Sequence, residues 1–346
     1  MALRPLYGHD LARAHLSGAL RVGRLPQALL FEGPRGVGKQ RLALWLAQAL
    51  LCEQDKSGEA CGTCRACRLV STLSHPDLHW FIPLEPNKKA ADADKQVELV
   101  EAALGEELAL RRERPLYEPP SGMAAHSIAV VRLLLRRLIL TPAIARRKVF
   151  IVGDAERLIA QRSSPEAANA LLRALEEPPA DAVFVLTAAE PKALLPTILS
   201  RVVRVRLSRL PDSVVTSFIH AELPDLQNAD RLVDEAEGSI GRVLARMASS
   251  GTGRGDAADA FLATVHGDAA DRYAAALRQT PFQARGGFTD MLDGLLERLR
   301  HEARAGGDTR RIAAAIALVM DAREHAQGNV NPQLLAAVLA DGMAEA

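Results

Sequence analysis

The stretch ALLFEGPRGVGKQ, residues 28–40, narrows most what this chain can fold into. An apolar run, Ala28 to Phe31, ends at Gly33 as a buried strand would, and a glycine-punctuated loop follows. From Lys39 to Leu51, the positions Leu42, Leu44, Leu46, Ala47 and Leu50 recur at helical spacing. Strand, loop and helix in that order make a phosphate-binding turn, whose backbone N–H groups and helix N-terminus face an anion. Gly33, Gly38 and Lys39 stand where the pattern G-x-x-x-x-G-K-[ST] requires them, but Gln40 replaces the Ser or Thr that would hold magnesium.

The other magnesium-handling group in such sites is an acid at the end of a later strand. KVFIV (148–152) reads as a short buried strand, followed by Gly153, Asp154, Ala155 and Glu156. With Gly153 at the metal-directing position that acid is missing; a shift of one residue would let Asp154 serve, and the spacing leaves both registers open. Two unsuitable positions together argue for a turn kept for its geometry, with Lys39 solvated nearby.

Further elements follow the same pattern. Residues 10–22 and 127–139 read as helices, LHWFI (78–82) and VFVLT (183–187) as strands, and VVRVRL (202–207) as a strand with one wet face. Ser164 and Pro165 read as the cap and first turn of a helix that runs through ANALLRALEE to Pro178. Residues 83–125 are charged, Pro-bearing and irregular except for a helix near 95–112, and read as a surface insertion. Repeated strand-helix units imply a parallel sheet with helices on both faces. Beyond residue 210 only helical periodicity continues, with SSGTGRGD (249–256) as a linker.

Four cysteines, the chain's full complement, fall within 16 residues as C-x8-C-x2-C-x2-C: Cys52, Cys61, Cys64 and Cys67. Two C-x-x-C steps let thiolates converge on one tetrahedral ion with little backbone cost. Four sulfurs leave no open coordination position, so the site reads as structural zinc, with an iron-sulfur cluster as the lesser alternative.

Charge excludes other classes. Lys and Arg number 43 and Asp and Glu 42, a net charge of +1, so nothing draws the whole chain to nucleic acid or a membrane surface. The N-terminal residues lack the apolar core of a signal peptide, and no run approaches the roughly 18 apolar residues of a spanning helix. A cytoplasmic protein is expected. Arg132, Arg136, Arg137, Arg146, Arg147 and Lys148 could line a DNA-facing surface through phosphate contacts, or form an ordinary solvated face. Glu176 and Glu177 point about 100° apart on a helix and read as helix-end charge. His75 and His79, near the cysteines, read as structural.

Taken together, the phosphate loop, the cysteine module, HPD (75–77), GDAERL (153–158), NALLRALEEPP (169–179) and LSR (199–201) resemble the clamp-loader branch of the AAA+ ATPases. The tail NVNPQLLAAVL (329–339) is similar to the end of that family's collar. The resemblance implies an α/β parallel-sheet AAA+ domain of RecA-like fold over 1–208 with a zinc module at 52–67, a small helical lid over 209–250, and an all-α collar over 255–346. Gln40, Gly153 and GSIG (238–241), where a nucleotide-sensing Arg is expected near Gly241, resemble the branch's non-hydrolysing stator. They imply that Gly33, Gly38 and Lys39 form a degenerate loop at which ATP is not hydrolysed.

Ser200 and Arg201 match the family's Ser-Arg-Cys motif, with Val202 in place of the Cys. The match implies an arginine finger reaching a neighbour's ATP, although an Arg at a helix end can also serve as a cap. The implied partners are the gamma or tau motor subunits and the delta subunit of bacterial DNA polymerase III, with the sliding clamp and primed template DNA reached through the assembly. The rival reading is an active motor, with Lys39 binding phosphate and Asp154 or Glu156 serving magnesium and water. A free-standing zinc-bearing DNA-binding protein would need a more basic chain.

Overall fold

The computed structural model describes residues 5–54, 58–85, 92–113, 124–158, 166–224, 226, 229–249, 254–279, 287–326 and 330–345. Five strands, β1 (Ala28–Glu32), β2 (Leu78–Phe81), β3 (Lys148–Val152), β4 (Ala182–Ala188) and β5 (Val203–Arg206), form one parallel sheet in the order β2-β3-β4-β1-β5. The chain between and before them forms α1 (Asp10–Arg21), α2 (Lys39–Leu51), α3 (Arg65–Ser71), α4 (Ala93–Glu113), α5 (Ile128–Leu138), α6 (Glu166–Glu176) and the single turn α7 (Pro196–Leu199).

Parallel strands need crossovers that place helices on the sheet's faces, so the inner strands are apolar nearly throughout, with Glu32, Lys148 and Thr187 as the polar exceptions. β1, β3 and β4 are buried at every position. Phe150 stacks on Phe184 with ring centroids 5.2 Å apart. β1 lies between β4 and β5, with Glu32 opposite Ala188 and Arg206. The loop after β1 therefore opens at the carboxyl end of the sheet, where open α/β sheets hold ligands.

β5 departs from the expected one wet face. It is shorter than 202–207 and lies at the sheet edge, so Val203 is 50% exposed. On its other face Arg204 and Arg206 lean over buried Glu32, with Nε–Oε separations of 2.8 and 2.9 Å. The helix placed at Ser164 and Pro165 is observed from Glu166; its expected cap lies outside the described residues. The expected linker also shifts: 250–253 lie outside the described residues, whereas 254–256 already belong to a helix.

α8 (Asp212–Glu222), α9 (Ala229–Ala236) and α10 (Ile240–Ser249) close a small core of Val215, Phe218, Ile219, Val233 and Val243. Tyr7 sets its ring edge on Phe218 and donates its hydroxyl to Glu222 at 3.0 Å. The chain divides into two compact units near residues 245 and 246. In the second, α11 (Arg254–Val265), α12 (Ala269–Leu277), α13 (Gly287–Arg304), α14 (Thr309–His325) and α15 (Pro332–Glu345) pack around Phe261, Leu292, Leu295, Val319 and Leu339. Among the described residues no helix is long and apolar enough to cross a membrane.

One buried acid fixes the approach to β3. Asp77, 2% exposed, accepts backbone N–H bonds from Ala143, Ile144 and Ala145 at 2.5, 2.9 and 2.7 Å. Burial pushes its carboxyl up, but the three donors outweigh burial and hold it below the usual carboxylate range. A carboxyl depressed in the folded state stabilises above its unfolded value of about 4, and that stability is lost as pH falls through the lower folded value. Asp77→Ala orphans three N–H groups, and urea denaturation at pH 7 should show a loss of roughly 2–4 kcal/mol that shrinks below about pH 4.

Candidate functional site

The loop from Gly33 to Gly38 leads straight into α2, with Gly38 at φ 105° as its N-cap. Contrary to the expected solvated lysine, Lys39 is only 6% exposed and folds back on its own loop, donating to the carbonyls of Gly33 at 2.9 Å and Pro34 at 2.7 Å. Burial pulls its ammonium pKa down, against the opposing charges of Asp154 and Glu156. The lysine thus stands beside the two acids weighed in sequence as magnesium and water ligands.

Gln40 is buried, and its Nε2 donates to Asp154 Oδ2 at 3.1 Å. Asp154 has a positive φ of 48°, and its backbone N–H bonds Thr187 Oγ1 at 3.0 Å. A Cβ added to Gly153 would stand 2.8 Å from Gln40 Nε2 and 2.9 Å from its Cδ. The space beside residue 153, where a metal-directing acid would project, therefore already holds the Gln40 amide. In the shifted register Asp154 does face residue 40, but its partner there is an amide donor.

Two further residues complete this wall, of which only His126 went unremarked in sequence. His126 is fully buried with its pKa pushed down to about 4 by burial, so it is neutral at pH 7 and its Nε2–H donates to the Gly153 carbonyl at 2.7 Å. Glu156 accepts from the Ala189 N–H at 3.0 Å, and burial, then Asp154, raises its carboxyl. Its Oε2 is buried without a hydrogen-bond partner among the described residues.

The small helical cluster reaches the loop by backbone. Gly241 N–H donates to Gly36 O at 2.9 Å, and Ser239 Oγ donates to Arg35 O at 3.0 Å. Gly36 sits at φ 75°, and a Cβ on Gly241 would lie 2.5 Å from Gly36 Cα. No side chain fits at 241, least of all the arginine that a nucleotide sensor would place there. The adjacent Arg242 pairs with Glu237 at 2.6 Å, which Arg209 also engages.

Arg201 and Ser200 lie just beyond α7. Arg201 Nε donates to Glu176 Oε1 at 2.7 Å, and its Nη1 bonds Thr197 O at 2.8 Å and Ser200 Oγ at 3.2 Å. Glu176, taken in sequence for unremarkable helix-end charge, thus holds the guanidinium in place.

The proposed row of DNA-facing cations is not a row. Lys148 is 2% exposed; its ammonium binds the carbonyls of Leu138 and Leu140 and lies 3.4 Å from Asp181. Burial at the start of β3 turns this lysine toward the free carbonyls at the end of α5. Arg136 pairs with Asp94, and Arg137 with Glu101 at 2.6 Å, both on α4. Arg132, Arg146 and Arg147 are exposed.

The cysteines do converge. The four sulfurs of Cys52, Cys61, Cys64 and Cys67 lie within 4.8 Å of one another, with Cys52–Cys64 at 4.0 Å and Cys61–Cys67 at 3.9 Å. Sulfurs at about 2.3 Å from a tetrahedral zinc would be about 3.8 Å apart, so the set fits that ion. Backbone N–H groups of Cys64 and Thr63 lower the exposed Cys61 thiol to about 6. The N–H groups of Cys61 and Cys67 point at Cys52 and Cys64 sulfurs at 3.4 and 3.3 Å. At Cys52 burial outweighs the donated N–H bond and raises the thiol.

A family model described as "DNA polymerase III, delta subunit" matches residues 8–211. DNA polymerase III subunit delta' of Pseudomonas aeruginosa is 32% identical over 199 residues, 57% of this chain and 48% of that relative. DNA polymerase III subunit gamma/tau of Mycobacterium bovis is 31% identical over 213 residues, 61% of this chain and 29% of its own length. The match thus spans about half the delta' relative and less than a third of the gamma/tau one. Among solved structures, a DNA polymerase III gamma subunit-related protein from Thermotoga maritima aligns with 95% of this chain and 99% of its own at 16% identity, TM-score 0.47. Identities of 32% and 31% do not separate the two subunit types; the loop residues bear on that choice.

Gly241→Ala forces a methyl group against Gly36 and should destabilise the small helical cluster by roughly 1–3 kcal/mol. Amide exchange would then speed up across 238–247 while β1 and β4 stay protected.

Proposed function

We propose a stator's role for this chain, which belongs to the family described as DNA polymerase III, delta subunit, and is akin within it to the delta' subunits. In this reading it is a clamp-loader subunit of AAA+ type that helps place a sliding clamp on primed DNA without hydrolysing ATP itself. The observation that carries the reading is the Gln40 amide lodged against Asp154 beside Gly153, where a magnesium site would have to form. Lys39 bound to its own loop carbonyls, and Gly241 in place of a sensing arginine, support the same conclusion.

The motor alternative draws on the gamma/tau relatives and on the retained Lys39. It requires a magnesium ligand at residue 40, and the Gln40 side chain is a neutral amide whose Nε2 donor, not its oxygen, faces Asp154.

Arg201 then serves a neighbour. Held by Glu176 with its side chain 31% exposed, it is an ordered guanidinium at the surface. Delivered to a neighbouring subunit's ATP, it would neutralise charge developing on the transferred phosphoryl group, with Ser200 fixing its orientation. Residues 209–250 form the lid and 255–346 the collar that joins gamma or tau and delta in the ring.

Cys52, Cys61, Cys64 and Cys67 hold a zinc ion whose part is structural. It ties the end of α2 to the start of α3, and four sulfurs leave it no position for a reacting water.

Two experiments test this reading. In an assembly reconstituted with gamma or tau and delta, Arg201→Ala should leave folding intact and slow ATP turnover by on the order of tenfold or more; unchanged turnover contradicts the finger. The purified chain should contain one zinc per molecule, and chelation should expose residues 52–67 to protease while lowering the melting temperature. A metal-free chain of equal stability overturns the structural assignment.

A further inference from the structure

Magnesium is the ion a phosphate loop implies, and the residues present here do not fit it. Residue 40 contributes a carboxamide whose Nε2 faces Asp154, and residue 153 contributes no side chain at all. We propose that Gln40 and Gly153 are a single complementary pair that excludes a divalent cation from the loop, each departure being required by the other.

The geometry argues for one unit. A Cβ at 153 would stand 2.8 and 2.9 Å from Gln40 Nε2 and Cδ, closer than real Cβ contacts allow, and 3.0 Å from Oε1, so the end of the Gln40 side chain would have to give way. An aspartate there has to displace the amide, and Gln40, 7% exposed, has little room to retreat. In the other direction, Gln40 reaches Asp154 only because residue 153 is bare. Its two N–H donors present a carboxylate with partial positive charge where a cation would sit, at the volume of a side chain and without the ion's charge. The amide's Oε1 is buried with no partner among the described residues, so the pocket is shaped around the whole group and matched in polarity on one side only.

The surrounding charges do not by themselves repel a cation. Asp154 and Glu156 are acidic, Lys39 is turned to the carbonyls of Gly33 and Pro34, and Arg35 lies 3.6 Å from Glu190. His126, on the far side of Gly153, is neutral and occupied with the Gly153 carbonyl. Exclusion is therefore the work of the amide's volume and hydrogen bond, and two substitutions should reverse it. Gln40→Ser supplies the hydroxyl and vacates space; Gly153→Asp fills that space with a carboxylate.

This inference rests on the reading of the loop as a non-hydrolysing site, but its test does not use hydrolysis. Wild type, Gln40→Ser, Gly153→Asp and the double variant are titrated with Mn2+ in the presence of ADP, with bound Mn2+ followed by electron paramagnetic resonance. The double variant should bind Mn2+ at least about tenfold more tightly than wild type or either single variant, a gain beyond the sum of the singles. Thermal melts of the same four proteins give a second readout: Gly153→Asp alone should lower the midpoint, and Gln40→Ser should restore most of it. A single variant that matches the double in Mn2+ affinity overturns the pairing. So does a folded double variant with wild-type affinity, or a melt in which the two substitutions act independently. Wild type binding Mn2+ as tightly as the double variant overturns the exclusion itself, whereas ATP turnover by the assembly bears only on the stator reading.

Discussion

Gly241 and Gly36 approach each other by backbone, with Gly241 N–H on Gly36 O at 2.9 Å, and a Cβ on either glycine would collide with the other element. Much of the site follows from that contact. It seats the start of α10 on the phosphate loop, adds Ser239 to the carbonyl of Arg35, and leaves the following Arg242 to pair with Glu237. A sensing arginine could act at this point only if the two segments stood apart. Here the start of α10 and the loop are joined directly by hydrogen bonds, which leaves no gap for a side chain at 241.

The same logic recurs at the loop's far end. A bare residue 153 admits the Gln40 amide, whose donor meets Asp154, while neutral His126 pins the Gly153 carbonyl from behind. The space beside residue 153 is filled by close packing, which in a protein interior is hard to deform. Asp77 and Lys148 do comparable work at the opposite end of β3, one satisfying three N–H groups and the other capping helix carbonyls.

Much of this was legible in the sequence because the signals were local. KVFIV and VFVLT read as strands because fully buried parallel strands are near-continuous apolar runs. The cysteine cluster followed from spacing, since two C-x-x-C steps bring sulfurs together with little help from the rest of the chain. Gln40 and Gly153 were also visible, but as two separate absences. That they touch is a fact of 112 intervening residues and of the pairing of β3 with β4 and β4 with β1, which no local pattern encodes. Lys148 misled for a related reason: it sits beside two arginines in sequence, yet it is the first residue of buried β3, while they precede the strand and stay exposed. Glu176 looked like surface charge because its partner Arg201 lies 25 residues away, past a strand. His126 carried no signal, coming from an irregular segment with no periodicity.

The account stands on the claim that the loop no longer handles nucleotide with magnesium. Calorimetric titration of the purified chain with ATP, with and without magnesium and with Lys39→Ala as control, measures that directly. The packing of Gln40, Gly153 and Gly241 predicts no binding, or weak binding indifferent to magnesium. Tight binding that needs magnesium and vanishes in the Lys39 variant would contradict the account and make this chain a motor.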